Sequence, residues 1–249
     1  MDWTSLCLAG AGLLLAGLLK GFTGLGFSTC ALPFLVLAVG VKTAVALVLM
    51  PAIASNVMLL WRVGHVPETV SRFWPMYVAL VPGVANGISL LAWVDGGTAA
   101  RGLGLITMLY ASLSLWRPNL QLAPSLEGPM QLPVGLLNGL LTGLTGSQII
   151  PLLPYMMGLR LDPDRFVQAV NIAVTLTAGL MLIGLAVAGM LPKQLAMVSI
   201  LGIVPASIGT IIGNQARSLV PTAQFRSLVL YTLLLLGAVL VSSLHRHLA

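Results

Sequence analysis

Polar positions along this chain fall mostly between long apolar runs. The runs cover about 3–19, 27–41, 43–61, 74–94 and 101–116 in the first half, and about 131–144, 147–159, 166–188, 195–215 and 226–244 in the second. A helical membrane span needs about 20 residues, with a range of roughly 17–25. The last three runs of each half are mostly long enough to cross. The first pair of each half is short and separated by glycines. The pattern predicts, in each half, a helical hairpin or broken helix at membrane depth followed by three spanning helices.

The glycine breaks repeat. Gly21-Phe22-Thr23-Gly24-Leu25-Gly26 interrupts the first apolar stretch, and Leu141-Thr142-Gly143-Leu144-Thr145-Gly146 interrupts another past the middle. Thr23-Gly24-Leu25 maps onto Thr142-Gly143-Leu144 at an offset of 119, and Pro33 and Gly40 map onto Pro151 and Gly158 at 118. Pro82 then maps to Pro205, and Thr98-Ala99 to Thr222-Ala223. Glycine-broken hydrophobic segments at matching places in two halves point to a transporter binding site. The expected organisation is a first transmembrane repeat over 1–117, a linker over 118–130 and a second repeat over 131–249. The longest polar stretch, Arg117 to Gln131, falls at that join.

Composition makes lipid the solvent. Of 249 residues, 58% are hydrophobic and only 7% charged, against about 25% charged in a soluble domain. Mean hydropathy is +1.02. The expected class is an all-α, polytopic membrane bundle of two inverted repeats with no room for a soluble domain. Twelve basic and six acidic residues give a net charge of +6, but the basic residues are scattered singly, as at loop ends beside a membrane rather than in a nucleic-acid patch. Cys7 and Cys30 both sit in apolar surroundings and read as buried free thiols. Residues 3–19 lack a positive leader, so no cleavable signal is expected.

The basic residues also test topology. If each short pair returns to its own side, the second half is inverted. One face then collects Arg62, Arg72, Arg117, Arg160, Arg165, Arg217 and Arg226, and the other Lys42, Arg101, Lys193 and Arg246, seven against four. If each short pair makes one crossing, the split is five against six. Cytoplasmic loops carry the excess, so the inverted arrangement, with both chain ends outside the cytoplasm, is expected.

Non-helical backbone survives in a bilayer only around a cavity. A helix starting after such a break offers free N–H donors and its positive dipole end, both of which favour an anion. The expected starts are Gly26-Phe27-Ser28-Thr29 and Gly146-Ser147-Gln148. Two such ends facing each other, with Gly24 and Gly143 in the breaks, would hold a small oxyanion. The competing reading is that the glycines only allow close helix packing. Lys20 is the one cation in an apolar run. It either draws an anion to the cavity mouth or snorkels to an interface. It has no basic counterpart in the second half, where Leu137–Gly139 stands.

All six carboxylates (Asp2, Glu68, Asp95, Glu127, Asp162, Asp164) lie in expected loops or at the terminus, and His65, His245 and His247 are peripheral. A buried proton relay is therefore not expected. Among the amides Asn56, Asn86, Asn138, Asn171 and Asn214, inter-helix bonding is the default. Asn171, with Thr175 one turn on, is the best candidate to line the cavity. Pro51, Pro75, Pro82 and Pro205 are expected to kink helices, Pro82 and Pro205 symmetrically. Gly83, Gly87, Gly209 and Gly213 form GxxxG pairs suited to tight crossings. Trp3, Trp61, Trp74, Trp93 and Trp116 fall near segment ends, as in an aromatic belt. No catalytic motif, cofactor motif or metal-spaced cluster is present, so neither an enzyme nor a cofactor is expected.

The glycine loops followed by proline, Thr23-Gly24-Leu25-Gly26 to Pro33 and Thr142-Gly143-Leu144-Thr145-Gly146 to Pro151, with the elements around Pro82 and Pro205, resemble the TauE/SafE family of sulfite exporter-like permeases. Phe27-Ser28-Thr29-Cys30 and Ser147-Gln148-Ile149-Ile150 stand where that family has richer glycine runs. The resemblance implies a bacterial inner-membrane carrier exporting a small sulfur-containing anion such as sulfite, thiosulfate or an organosulfonate. It implies contacts from Gly26, Ser28, Gly146 and Ser147. An anion channel with the same broken-helix filter is the alternative, and a membrane scaffold a third reading. A coupling ion and a homodimer stay open; the expected partners are the anion and the lipid bilayer, with no nucleic acid.

Overall fold

In the computed structural model of the chain, residues 3–23, 26–63, 66–116, 121–216 and 222–242 are described. They form eleven α-helices and no strand. These are α1 (Trp3–Thr23), α2 (Phe27–Val39), α3 (Val41–Val63), α4 (Val66–Trp93), α5 (Gly96–Trp116), α6 (Glu127–Thr145), α7 (Leu152–Gly158), α8 (Pro163–Val187), α9 (Lys193–Leu201), α10 (Ile203–Ala216) and α11 (Thr222–Ser242). Among the described residues, four stretches are long and apolar enough to cross a membrane: Trp3–Phe22, Val66–Trp93, Pro163–Val187 and Lys193–Ala216, the last comprising α9 and α10. This helical build is that of a multi-pass membrane protein.

Helix boundaries follow local chemistry. Asp162 accepts a 3.1 Å hydrogen bond from the Arg165 N–H, and Pro163 opens α8 where a missing N–H has no cost. Asp95 caps α5 by accepting from the Thr98 N–H at 2.8 Å. Hydrogen bonds from the Thr98 side chain and backbone hold the Asp95 carboxyl below its ordinary range. The cap is therefore retained at neutral pH, and its stabilisation is lost only as acidification passes through that lowered value.

Two expectations about length and kinking change. α1 has 21 residues and is not short, because the helix continues through Lys20 to Thr23; of the two expected short pairs, α2, with 13 residues, and α7, with seven, are the members too short to span, while α6 has 19. α4 runs unbroken through both Pro75 and Pro82, whereas the matching run divides at Gly202. Pro205 has no N–H to offer the Leu201 carbonyl, and the chain restarts as α10 with Pro205 in its first turn.

Helices pair across the two halves. α1 packs along α10, α4 along α6, α3 against α8 and α5 against α11. Two crossings are backbone-to-backbone. A Cβ built on Gly87 would lie 2.7 Å from the Gly143 Cα, and one on Gly139 would lie 2.9 Å from the Val84 nitrogen. At the other crossing, a Cβ on Gly209 would lie 2.8 Å from the Leu18 nitrogen, and one on Gly21 would lie 2.8 Å from the Asn214 nitrogen. Lipid tails are as apolar as leucine, so close van der Waals contact, rather than release of water, holds such pairs. Gly83 and Gly213 occupy like places, each facing a carbonyl, Leu136 and Leu18 respectively.

The larger core gathers α1, α2, α3, α5, α8 and α11 around the fully buried Leu32, Leu35, Leu47, Leu103 and Met181. A second joins α4, α6, α7 and α8 around Phe73, Met76, Leu80 and Met156. Trp3, Trp74, Trp93 and Trp116 are exposed, three of them as terminal residues of their helices. Cys30 is buried and free as expected, but Cys7 is exposed, because it lies on the outer face of α1.

The ends of α4 and α6 are tied by a two-pronged pair, Arg72 Nε to Glu127 Oε1 at 2.6 Å and Nη2 to Oε2 at 3.0 Å. Both side chains are partly exposed, so Glu127→Gln is expected to cost less than about 1 kcal/mol. Thermal unfolding at low and high salt checks this: a larger loss, or one insensitive to salt, contradicts it.

Candidate functional site

One cavity of about 280 Å³ lies where the start of α2 meets the segment between α6 and α7. Its polar wall is built from Lys20 of α1, Ser28 and Thr29 of α2, Asn56 of α3, Gln148 of the segment before α7, and Asn171 of α8. All six are buried. Phe27, Tyr110, Phe166 and aliphatic groups of α7, α8 and α11 complete it. No carboxylate is among the lining residues.

Three of the polar groups form one corner. Lys20 Nζ donates to Ser55 Oγ at 2.9 Å and to Asn56 Oδ1. Asn171 Nδ2 donates to the Asn56 carbonyl at 2.9 Å. Ser55 Oγ in turn donates to the Ala52 carbonyl at 3.0 Å. Lys20 thus does not reach for an interface. It turns inward, and among the described residues it has no carboxylate partner. Asn56 Nδ2 and Gln148 Oε1, both buried, have no hydrogen-bond partner among the described residues.

Gly26 opens α2 in the left-handed conformation, φ +85°, a geometry that glycine enters without strain. The first helical hydrogen bond, Cys30 N–H to Gly26 O at 3.1 Å, leaves the N–H groups of the first turn without intrahelical acceptors. That turn, Gly26 to Cys30, forms cavity wall.

The second half does not mirror this, contrary to expectation. Gly146 is the left-handed C-cap of α6, φ +76°, and no helix begins at Ser147. The next helix starts at Leu152, because the residue before a proline is disfavoured in the helical region and Ile150 precedes Pro151. The intervening turn is closed on itself. Ser147 N–H donates to Thr145 Oγ1 at 3.2 Å, and Thr142 Oγ1 donates to the Ser147 carbonyl at 3.1 Å. Gly146 packs on Leu32 and Val45.

Of the residues expected at the site, the fold brings Lys20, Gly26, Ser28, Thr29, Gln148 and Asn171 to one cavity. Gly143 lies in the α4–α6 crossing, and Gly146 and Ser147 lie in the α6 cap. Thr175 hydrogen-bonds back to the Asn171 carbonyl at 2.7 Å and lines a separate groove with Leu60 and Gly179. Gly24 lies outside the described residues, as do Asp2, His65, Arg117, Arg217 and the chain's last seven residues. Asn56 is the main group that sequence reasoning placed elsewhere. It is a helix-bonding amide as expected, yet it also lines the cavity. The aromatic walls carried no sequence signal, because their role depends on helices distant along the chain. Asn138 and Gln168 are fully buried with both amide ends unpaired among the described residues, away from this cavity.

The family model described as Sulfite exporter TauE/SafE matches residues 8–240. No curated protein and no solved structure matches the chain. With the match running over nearly the whole chain, and with a helical membrane build beneath it, this protein belongs to the TauE/SafE family of membrane transporters.

Proposed function

We propose that the chain is a secondary carrier that exports a small sulfur-containing anion, such as sulfite, thiosulfate or an organosulfonate, across the bacterial inner membrane by alternating access. The observation that carries this reading is the cavity itself. It joins a helix N-terminus, a buried lysine and an amide donor without a partner among the described residues, and no acidic residue lies on its wall. The first turn of α2 offers N–H groups and dipole to an oxyanion. Ser28 and Thr29 add hydroxyl donors, Asn56 Nδ2 an amide donor, and Lys20 positive charge when protonated. Removing such a site from bulk water makes each of these donors count for more.

The fold is read here as two inverted repeats. In support, the first helix of each half packs on the fourth element of the other, while the third and the fifth elements pair with their own counterparts. Alternation would then rock the tightly crossed pairs α1–α10 and α4–α6 about the cavity. Asn171→Ala is expected to weaken anion binding about three- to tenfold, since it removes one neutral hydrogen-bonding group. A titration by thermal shift in detergent measures this.

Counterflow in proteoliposomes tests the reading. Radiolabelled sulfite should enter saturably and faster when unlabelled sulfite is inside. Current without trans-stimulation would instead make the protein an anion channel. Absence of any flux, with Ser28→Trp tolerated in cells, would make it a scaffold.

A further inference from the structure

The groove that Thr175 lines has no part in anion transport as proposed above. It holds about 460 Å³, and its long wall is one stripe of α8. Ile172, Leu176, Gly179 and Ile183 follow at three- or four-residue spacing, so they share a face of the helix. Leu60 near the end of α3 and Val66 at the start of α4 help to complete it. The lining is hydrocarbon apart from Thr175, whose hydroxyl is bonded to the Asn171 carbonyl at 2.7 Å. Gly179 deepens the groove, because a Cβ there would meet nothing within 4 Å. Ile172 to Ile183 covers about 16 Å of helix at ~1.5 Å per residue. Half of a hydrocarbon core ~30 Å thick is about 15 Å, so the groove matches the depth of one leaflet.

The same stripe ends in charge. Arg165 precedes Ile172 by two turns on the same face, about 10 Å along the axis, at the level of lipid head groups. Its guanidinium pairs with Glu68 Oε1 at 3.0 Å and with Asp162 Oδ2 at 3.3 Å. Glu68 follows Val66 of the groove by two residues. All three side chains are about half exposed, and two carboxylates around one cation leave negative charge in excess. Arg72, one turn beyond Glu68, is already held by Glu127. Such a cluster suits a head group of both signs, with an ammonium for the carboxylates and a phosphate for Arg165.

We propose that this groove is a lipid site: one acyl chain of a phosphoethanolamine lipid lies along Ile172–Ile183, its ammonium at Glu68 and Asp162 and its phosphate at Arg165. A bilayer supplies hydrocarbon to any outward notch, and the charged end selects which lipid stays. α8 presents Asn171 and Val174 to the cavity and Ile172 and Leu176 to the groove. The lipid therefore rests on the helix that carries a cavity amide, yet its binding does not depend on what the cavity transports.

Native mass spectrometry of the purified full-length protein tests this, with phosphatidylethanolamine, phosphatidylcholine and phosphatidylglycerol of identical chains added in detergent. Phosphatidylethanolamine should be held about two- to fivefold more tightly than the other two, since choline offers no N–H and glycerol no cation. Glu68→Gln should reduce that preference. Gly179→Phe should fill the groove and release the lipid, while Gly10→Phe, whose Cβ also has open space, should keep it. If Gly179→Phe does not fold, the head-group series on the native chain and on Glu68→Gln decides. Equal retention of the three lipids, retention of none, an undiminished preference in Glu68→Gln, or lipid kept by Gly179→Phe would each overturn the inference and leave the anion carrier standing.

Discussion

Lys20→Met is expected to lower anion affinity about tenfold to a hundredfold and to remove saturable flux at low anion concentration, while the protein still folds. Hydrogen bonds to charged groups contribute about 1.5–3 kcal/mol, and a tenfold change corresponds to about 1.4 kcal/mol. Lys20 is the one charged side chain on the cavity wall, so no other lining group compensates for it. Stability should change much less. Methionine has similar length, and replacing a buried cation with an apolar chain removes its desolvation cost. Ser55 keeps its bond to the Ala52 carbonyl, which leaves the Asn56 side-chain oxygen as the main group losing its donor. The measurements are a sulfite titration by thermal shift and counterflow on the same preparation. Wild-type affinity in Lys20→Met would reduce Lys20 to a structural tie between α1 and α3.

Gly87→Leu and Gly209→Leu are expected to remove the folded form. Each glycine lies where two helix backbones touch, with a hypothetical Cβ only 2.7 Å from the Gly143 Cα in one case and 2.8 Å from the Leu18 nitrogen in the other. Backbone cannot rotate away as a side-chain tip can, so the whole helix must shift. Even alanine should fall at or above the top of the ~1–3 kcal/mol range for overpacking. Gly10→Leu is the control, because its Cβ would meet nothing within 4 Å. The monodisperse fraction after detergent extraction reads the result. Equal recovery of all three leucine variants would show that these crossings do not hold the bundle together.

These two groups of residues mark how far the sequence could be read. The GxxxG spacing of Gly83 with Gly87 and of Gly209 with Gly213 identified packing faces correctly, because that role needs only smallness at helical intervals. Gly143 carries the same residue type within a break that looked like a binding loop, yet it packs against Gly87. Smallness alone does not say whether the neighbour is a ligand or another backbone. Ser147 shows a second limit. Its local sequence suits a helix start, but Thr142 and Thr145 engage its backbone, and Pro151 delays the helix.

The apolar runs and the near absence of charge established from sequence alone a helical membrane protein. Those features depend on solvent and on local backbone sterics, which act through composition and short spacing. The tertiary fold decided which polar groups share a cavity. Lys20, Asn56 and Asn171 are separated by 36 and 115 residues along the chain, and only the packing of α1, α3 and α8 closes those distances to hydrogen-bond length. No local preference encodes such a meeting, because every partner belongs to a different helix whose neighbours are set by the fit of entire surfaces.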